Sequence, residues 1–571
     1  MAQTPPLGDS PLFGLLPARL QDELVAAGHP VRVSAREWLF QAGDAGDCLY
    51  LVASGRLRVV AERDGETAVL NTLGPGAVIG ELAILTGATR SASVQALRDT
   101  ELLEIDGERF EELLARDAEL GAGLARALAE RIQRGGTLEP SEAPTRVVTM
   151  TAVPGVDAER LWLELGSAFS ELGATVAHAR PLADWGETEA WGRALGELEQ
   201  AHDYVLLRAD LDKSDWSSFC IRQADRVVVA AAGSPPAGLA TPAGCDLVFL
   251  HVPSIEDVAA WTSAGLRAHY VVTSEGALPD ATRRLSRRLT GRSLGIVLSG
   301  GGARALAHIG VLQVLAEEKI VIDRFGGCSM GAFVGAMAAL GWPPEAMVET
   351  CRQEFAHRTP FGDYTFPRHA LMRARRLASR LRRIFGDAAL EQLACPFFTV
   401  SADLLSSRMV VHRTGSVIEA VGSSMAIPGL APPVLRRSEL LVDGGVLNNL
   451  PIDVMIAGER GPVVAVDVMR RLESDDADAN PEALLPTILE TLSRATVLGS
   501  VGRAEVNREL ADLLITPDVQ DISLRGFKHL ERAVDAGRRA AEEALAAGGK
   551  KAFEPAHRHA RVARIPAGAK S

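Results

Sequence analysis

A chain of 571 residues has room for roughly three to four domains, and a hydrophobic fraction of 47% excludes global disorder. A formal net charge of -13 argues against a general nucleic-acid-binding surface, and an aromatic content of 5% argues against base-stacking platforms. We therefore expect a multidomain globular protein that does not bind nucleic acid.

The cysteine pattern and the amino terminus indicate the compartment. The six cysteines are scattered, without a C-x-x-C pair or nearby paired histidines, so we predict a reducing environment and no bound metal. The amino terminus has no basic region followed by an apolar core, and no run reaches the ~18 apolar residues that span a bilayer. These features predict a cytoplasmic protein, and peripheral contact with a membrane surface is compatible with them.

The first part of the chain has the pattern of a small β-structure. Short apolar runs separated by turn residues fill positions 30–106, which predicts an antiparallel barrel or roll. From about residue 107 to the glycine pair at 135–136 the apolar spacing becomes helical. The following segment, 135–145, is rich in Gly, Pro, Ser and Thr and is typical of a linker.

One stretch of the predicted roll, GAVIGELAILTGATRSASV (76–94), carries groups suited to a phosphate. Gly80 and Glu81 would open a short helix whose N-terminus attracts anions, Arg90 can bond the same anion, and Glu81 can accept from a ribose hydroxyl. The stretch resembles the phosphate-binding cassette of cyclic-nucleotide-binding domains, and the likeness covers about 12–134. This resemblance implies Gly80, Glu81, Arg90 and Ser91 as nucleotide ligands and cyclic AMP or cyclic GMP as the effector. The alternative is a roll of this fold that has lost its ligand.

Residues 146–280 alternate short β-branched runs with helical stretches, which predicts a parallel α/β domain. The segment after its first strand, AVPGVDAER, stands where a phosphate loop would lie, but it lacks the G-K-[ST] element. Nucleoside triphosphate binding is therefore not supported, and a structural or docking role is favoured.

The α/β pattern resumes at 293–548 with a glycine-rich loop, LSGGGARAL, that admits two interpretations. Gly300, Gly302 and Ala305 fit a dinucleotide fingerprint, with Asp323 at the distance of a ribose-binding acid. Consecutive glycines at a strand end can also present backbone N–H groups to an oxyanion. The following G-C-S-M-G turn, centred on Ser329, favours the second interpretation, because an esterase needs both elements and a dehydrogenase does not.

The base that would activate Ser329 is not an obvious histidine. We expect each of the histidines after it to be a surface residue rather than a catalytic base, including His412 in the strand-like run RMVVHRTG; they are His357, His369, His412, His529, His557 and His559. His308 is expected to pack or cap. Asp443 ends the apolar run LLV and precedes two glycines, so a strand would deliver it to the top of a sheet. Asp403 is the competing acid, with turn anchoring as its favoured role. Burial would raise the pKa of Asp443 and make it a better base.

The segments SGGGARALAHIG, GCSMG and DGG, in this order, resemble the patatin-like phospholipase family over roughly 293–470. The resemblance implies Ser329 as nucleophile, Asp443 as base and no catalytic histidine, metal or cofactor. It also implies an oxyanion hole that we assign to Gly300, Gly301, Gly302 and Arg304. A roll, a middle α/β region and a patatin domain in this order resemble the neuropathy target esterase (NTE) family and its bacterial relatives, which act on lysophospholipids and related esters.

The basic helix predicted at 368–386 has two interpretations of equal weight, a phospholipid head-group surface or an ordinary solvated face. The complete prediction is an antiparallel β-roll with helices (12–134), a linker (135–145), a middle α/β domain (146–280), an α/β patatin-like hydrolase (293–548) and a basic tail (549–571). Its function would be Ser-Asp hydrolysis of phospholipid or lysophospholipid acyl esters, regulated by a cyclic nucleotide. The alternative is a cyclic-nucleotide sensor whose hydrolase fold serves as a lipid-binding or interaction module.

Overall fold

The computed structural model describes residues 18–63, 66–116, 145–180, 191–212, 214–236, 242, 244–263, 266, 268–357, 362–366, 368–458, 461–469, 491 and 498–553. The chain forms two compact units. Unit 1 comprises residues 1–230, 236–247 and 265–267, and unit 2 comprises residues 231–235, 248–264 and 268–571. Almost all of the predicted linker and most of the predicted tail lie outside the described residues.

Unit 1 begins with an antiparallel β-roll. Its elements are α1 (Ala18–Ala27), β1 (His29–Val33), β2 (Trp38–Phe40), β3 (Cys48–Arg63), β4 (Glu66–Leu73), β5 (Val78–Ile79), α2 (Glu81–Thr86), β6 (Ser93–Asp106) and α3 (Gly107–Arg116). The strand order is β1-β6-β3-β4, with β2 pairing β6 and β5 pairing β3. Alternate residues of β3 enter two separate apolar cores, since successive strand side chains point to opposite faces.

A parallel α/β domain follows in unit 1. Its elements are β7 (Val147–Ala152), α4 (Glu159–Glu171), β8 (Val176–Ala179), α5 (Trp191–Ala201), β9 (Tyr204–Arg208), α6 (Asp215–Gln223) and β10 (Arg226–Ala231). The parallel order is β10-β7-β9-β8, and β7 is buried along its whole length, as expected for a sheet covered on both faces. Ion pairs between described residues join the roll to this domain, among them Arg56–Asp225 at 2.9 Å, Arg98–Glu199 at 2.8 Å and Arg222–Asp99 at 3.2 Å.

Strands β11 (Asp246–Phe249) and β12 (Ala268–Val271) come next, with helix α7 (Ile255–Ser263) between them. The helices that follow are α8 (Leu278–Leu289), α9 (Ala307–Glu317), α10 (Ser329–Ala339), α11 (Pro344–Cys351), α12 (Arg375–Phe385), α13 (Val417–Ser424), α14 (Ile452–Gly458), α15 (Val501–Leu510) and α16 (Leu530–Ala546). Short 3₁₀ turns occupy Glu275–Ala277, Gly302–Leu306, Leu390–Gln392, Gly444–Val446, Phe527–His529 and Gly549–Phe553, and a π-turn occupies Arg352–Ala356.

The eight-stranded sheet of unit 2 organises the predicted hydrolase. Its strands are β13 (Gly295–Leu298), β14 (Arg324–Gly327), β15 (Phe397–Asp403), β16 (Met409–His412), β17 (Val434–Arg436), β18 (Glu439–Asp443), β19 (Val463–Val466) and β20 (Leu513–Ile515). The order is β17-β18-β15-β14-β13-β19-β20, with β16 pairing β15. Strands β15, β14, β13, β19 and β20 run parallel, so the segments after β13 and β14 meet at one edge of the sheet.

The predicted fold class, a β-roll followed by a middle α/β domain and an α/β hydrolase-like domain, is confirmed. Among the described helices, none combines the length and the apolar character needed to cross a bilayer.

Candidate active site

Ser329 lies on a sharp turn between β14 and α10. Its φ of 52° is in the left-handed region, which side chains with a Cβ rarely adopt, so the turn is strained. A Cβ on Gly331 would lie 2.4 Å from the carbonyl oxygens of Leu298 and Ser299. The close approach of α10 to β13 therefore requires glycine two residues after the serine, which gives the G-x-S-x-G pattern its physical reason.

Asp443 faces Ser329 from the end of β18. The Ser329 Oγ donates a hydrogen bond to Asp443 Oδ2 at 2.7 Å, and the backbone N–H of Gly445 donates to Asp443 Oδ1 at 2.8 Å. The Asp443 side chain is buried, and this burial raises its pKa from an ordinary 3.8 to about 6, although the hydrogen bonds oppose the change. A carboxylate with this pKa accepts a proton more readily than an exposed aspartate does.

The glycine-rich loop leaves β13 beside the serine. The Gly300 N–H donates to the Asn449 carbonyl oxygen at 3.3 Å, and the Arg304 N–H donates to the Gly301 carbonyl oxygen at 3.1 Å. Within the described part of the chain, the N–H groups of Gly301 and Gly302 have no such acceptor. Of the four residues predicted to form the oxyanion hole, Gly301 and Gly302 are therefore the two whose backbone N–H groups can bind an oxyanion. That they do so stays a prediction. The Arg304 side chain is engaged in another hydrogen bond, because its Nε donates to the Ile522 carbonyl oxygen at 2.6 Å.

Two residues near the dyad escaped the sequence analysis. Ser424, at the end of α13, accepts a hydrogen bond from the Ser329 N–H at 2.9 Å and thereby supports the strained turn. Asn449 accepts from the Gly300 N–H, and its Nδ2 donates to the Gly300 carbonyl oxygen at 3.2 Å. In the sequence these two residues are marked only by position: Ser424 lies in the stretch AVGSSMAIPGLAPPV before β18, and Asn449 follows the DGG motif by four residues.

Among the described residues, no histidine is bonded to Ser329 or Asp443. His357 and His369 are exposed and His529 is half-buried, whereas His557 and His559 lie outside the described residues. The expectation of a surface position is wrong for His412. It is buried in β16, where its Nε2 donates to Ser401 Oγ at 2.9 Å and its Nδ1 accepts from Arg436 Nη1 at 3.1 Å. Burial and the Arg436 charge lower the His412 pKa to about 4. His308 packs in the core, as expected, and its Nε2 donates to the Ser299 carbonyl oxygen at 2.9 Å.

The other candidate acids have structural partners. Asp323 is buried and forms an ion pair with Arg287 at 2.6 Å. Its carboxylate therefore cannot bind a ribose hydroxyl, which removes the acidic residue that the dinucleotide interpretation requires. Asp403 anchors a turn, as expected, by accepting from the Ser406 hydroxyl at 2.6 Å and the Leu440 N–H at 2.9 Å. These hydrogen bonds lower the Asp403 pKa to about 2. Cys328 is buried, with Sγ 3.7 Å from Asp443 Oδ1, and burial raises its pKa.

In the predicted nucleotide site of unit 1, the charged side chains are buried instead of facing solvent. Helix α2 begins at Glu81 as predicted, after Gly80 in a left-handed conformation, and Ser91 is exposed. Glu81 and Arg90 are both buried. The Arg90 Nη2 donates to the Cys48 carbonyl oxygen at 2.7 Å, and its guanidinium lies 4.3 Å from the Phe40 ring centroid. The structure thus brings Gly80 and Arg90 together. The Arg90 guanidinium, however, is already hydrogen-bonded to the backbone of β3.

Two protein-family models match the parts of the chain that contain the Ser329 site and the predicted nucleotide site. The family model described as Patatin-like phospholipase matches residues 296–456, and the one described as Cyclic nucleotide-binding domain matches residues 30–117. An NTE family protein of Mycobacterium tuberculosis is 36% identical over 543 residues, covering 90% of this chain and 91% of that protein. The chain belongs to the NTE family.

Two eukaryotic relatives in the NTE family extend the comparison. Patatin-like phospholipase domain-containing protein 7 of Mus musculus is 30% identical over 78% of this chain, and lysophospholipase NTE1 of Cryptococcus neoformans is 28% identical over 90%. The chain spans 38% of the length of each of these two proteins. The predicted patatin-like phospholipase with an N-terminal cyclic-nucleotide-binding domain is confirmed, and the chain is a lipid ester hydrolase of this class.

Proposed function

We propose that the chain hydrolyses the acyl ester bonds of lysophospholipids or phospholipids through Ser329 and Asp443. The observation that carries the proposal is the 2.7 Å hydrogen bond from the Ser329 hydroxyl to the buried Asp443 carboxylate. The relative named lysophospholipase NTE1 supports a lipid ester as the substrate.

Acylation begins with proton transfer along this hydrogen bond. Asp443 accepts the Ser329 proton as Oγ attacks the ester carbonyl carbon, and the carbonyl oxygen becomes an oxyanion between the N–H groups of Gly301 and Gly302. One such donor contributes on the order of 3 kcal/mol to transition-state stabilisation. Asp443 then returns the proton to the departing glycerol oxygen, and the acyl group stays on Ser329.

Deacylation uses the same groups in reverse. Asp443 takes a proton from a water molecule that attacks the acyl carbonyl, and the same two amides hold the second oxyanion. Collapse of this intermediate breaks the bond to Ser329 Oγ, which regains its proton from Asp443 as the fatty acid leaves. One carboxylate therefore suffices for both half-reactions, and no histidine is required.

A fluorophosphonate probe tests this proposal directly, because it reacts covalently with activated serine hydroxyls. We expect labelling of Ser329 in the full chain and no labelling of Ser329→Ala. Absence of labelling in the wild type would contradict the esterase mechanism. It would favour the alternative of a cyclic-nucleotide sensor whose hydrolase fold serves as a lipid-binding or interaction module.

We further propose a cyclic nucleotide as regulator, bound by Gly80, Glu81, Arg90 and Ser91. The match of residues 30–117 to cyclic-nucleotide-binding domains supports this second function. The ion pairs Arg56–Asp225 and Arg98–Glu199, whose arginines are buried, connect the roll to the middle α/β domain and could transmit a change in the roll. Calorimetric titration with cyclic AMP and cyclic GMP tests it, and no binding of either would leave the roll with a structural or docking role.

A further inference from the structure

An aromatic side chain projects into solvent from a loop of unit 2. We call Asp363–Phe366 and Arg368–Arg373 the aromatic loop. Its two arms pair through an antiparallel bridge between Tyr364 and Met372, and the Thr365 N–H donates to the Leu371 carbonyl oxygen at 3.0 Å. Phe366 is 88% exposed at the turn. Tyr364, on the other side of Thr365, is 55% exposed, so the loop presents two aromatic rings to water beside a cluster of arginines.

The aromatic loop continues into the basic helix α12. Positions 364–386 contain seven arginines and no acidic residue, although the whole chain carries a net charge of -13. Within the described residues, the side chains of Arg368, Arg373, Arg375, Arg376 and Arg382 form no ion pair. A cavity of ≈ 290 Å³ is lined by Glu354, Arg375, Arg376, Ser379, Arg380 and Arg383. The apolar side of α12, including Leu377 and Leu381, is buried in the core. Arg380 is buried beside it and pairs with Glu354 at 3.5 Å, whereas the other arginines of the helix are exposed. This local charge is suited to an anionic surface.

Backbone hydrogen bonds connect the aromatic loop to a segment that also contacts Asp443. The Leu371 N–H donates to the Gly429 carbonyl oxygen at 2.9 Å, three residues beyond Ala426, whose own carbonyl oxygen accepts from the Asp443 N–H at 2.9 Å. The loop therefore contacts the segment that borders the catalytic acid.

The loop is also tied to the glycine-rich loop. The Tyr364 hydroxyl accepts a hydrogen bond from Arg525 Nη2 at 3.1 Å, and the neighbouring Leu524 carbonyl oxygen accepts from the Ala303 N–H at 2.8 Å. Its connections thus lead to both the acid and the oxyanion side of the site.

We propose that the aromatic loop and the arginine side of α12 dock unit 2 onto an anionic phospholipid bilayer. Phe366 enters the boundary between head groups and acyl chains, while Arg375 and Arg376 bind lipid phosphates. The occupant is a bilayer rather than an acidic protein because the arginines accompany an aromatic tip, Phe366, that projects by almost its whole ring instead of lying in a broad apolar patch. This inference rests on the proposed function, since docking here brings an acyl ester to Ser329.

Co-sedimentation of the full chain with vesicles tests the docking face. We expect stronger binding to vesicles of phosphatidylcholine with phosphatidylglycerol than to phosphatidylcholine alone. Phe366→Ser should weaken binding to both vesicles by at least about tenfold, because its apolar surface no longer enters the lipid. Arg375→Ser with Arg376→Ser should weaken binding to the anionic vesicles roughly 25-fold, at about fivefold per arginine, and remove the preference for phosphatidylglycerol.

Matched variants separate this face from general effects. Arg160→Ser with Arg539→Ser removes the same net charge from exposed positions elsewhere, and Leu163→Ser removes an exposed apolar side chain. These variants should bind vesicles like the wild type. Equal binding by the wild type and the Phe366 and arginine variants would overturn the proposal, as would tight binding to polyglutamate without binding to vesicles.

The docking proposal and the hydrolase proposal fail in different ways. Ser329→Ala should bind vesicles like the wild type, because docking requires no chemistry. Phe366→Ser should lose far more activity on vesicle-borne lysophospholipid than on a water-soluble ester. If the wild type cleaves neither ester yet binds anionic vesicles through Phe366, the hydrolase proposal fails and docking stands. If it cleaves both with no dependence on Phe366, docking fails and hydrolysis stands.

Discussion

The dyad in unit 2 and the cassette in unit 1 hold their charged groups in opposite ways. Asp443 is directed at the hydroxyl it would activate, at 2.7 Å, and the surrounding hydrogen bonds fix that geometry. Arg90 instead donates to the Cys48 carbonyl oxygen at 2.7 Å and stacks on Phe40. If the proposed roles hold, the difference means that the dyad is assembled before substrate arrives, whereas a nucleotide phosphate would compete with the backbone of the roll for Arg90.

The largest expected effect concerns the assembled dyad. Ser329→Ala and Asp443→Asn should each lower the rate of ester hydrolysis by at least about a thousandfold. The two residues act as one unit, so the loss of either removes the contribution of both. Single replacement of the six downstream histidines should leave measurable turnover, measured with lysophospholipid and with a soluble ester. A histidine variant as inactive as Ser329→Ala would show that the two-residue mechanism is wrong.

The ionised, buried side chain of Asp443 should also lower the free energy of unfolding. A folded-state pKa raised from 3.8 to about 6 means that the neutral form is favoured. The stabilisation of the neutral form is fully present below pH 3.8 and is lost as the pH rises through about 6. Asp443→Asn should therefore raise the free energy of unfolding by up to about 3 kcal/mol at about pH 8, and by far less at about pH 4.

Denaturant titration at both pH values measures this difference, and Asp403→Asn supplies a control of opposite sign. The Asp403 pKa is depressed to about 2, so its ionised form stabilises the fold above its ordinary pKa and that contribution is lost in acid. Asp403→Asn should destabilise the protein at about pH 8. Destabilisation of similar size by both variants would contradict the assigned pKa shift of Asp443.

The pH profile of hydrolysis sharpens the same point. Asp443 must be ionised to accept the Ser329 proton, so kcat/KM should be constant above its pKa of about 6 and fall as the pH is lowered. At about pH 4 the rate should be roughly a hundredfold below the plateau. Rapid assays with a soluble ester, followed by return to neutral pH to show recovery, measure the profile. An acid limb near pH 4 would mean that burial does not shift this carboxyl.

The sequence was most informative where the chemistry is local. Ser329 lies within a five-residue motif and Asp443 ends an apolar run, so both can be proposed from the sequence alone. Ser424 and Asn449 could not, because their partners lie 95 and 149 positions away. The surface position expected for His412 is wrong because the pairing of β16 with β15 buries it, and the sequence does not show which strands pair. The bonding of Arg90 to Cys48 likewise depends on strand packing that no local motif encodes.

A smaller effect is expected at Arg90, whose side chain a bound nucleotide would have to draw away from its internal hydrogen bonds. Arg90→Ala should weaken binding of cyclic AMP or cyclic GMP by about tenfold to a hundredfold in calorimetry, because a charge-assisted phosphate contact is lost. Arg58→Ala, which removes an arginine bonded to Gln95 instead of to the cassette, is a matched control that should keep the affinity. Fluorophosphonate labelling of Ser329 in both variants shows whether the hydrolase unit remains folded.

The effect of the nucleotide on hydrolysis then tests whether the two sites communicate. A ligand shifts activity only through its differential affinity for two arrangements, typically about 1 to 3 kcal/mol, so roughly a fivefold change is the lower expected limit. Hydrolysis is measured with and without each nucleotide in the wild type and in Arg90→Ala, where the response should disappear at the same ligand concentration. Because Arg90 is already bonded internally, its release is the step that could alter the strands carrying Arg56 and Arg98. Binding without any change in hydrolysis would keep the cassette as a nucleotide site and exclude coupling to the dyad.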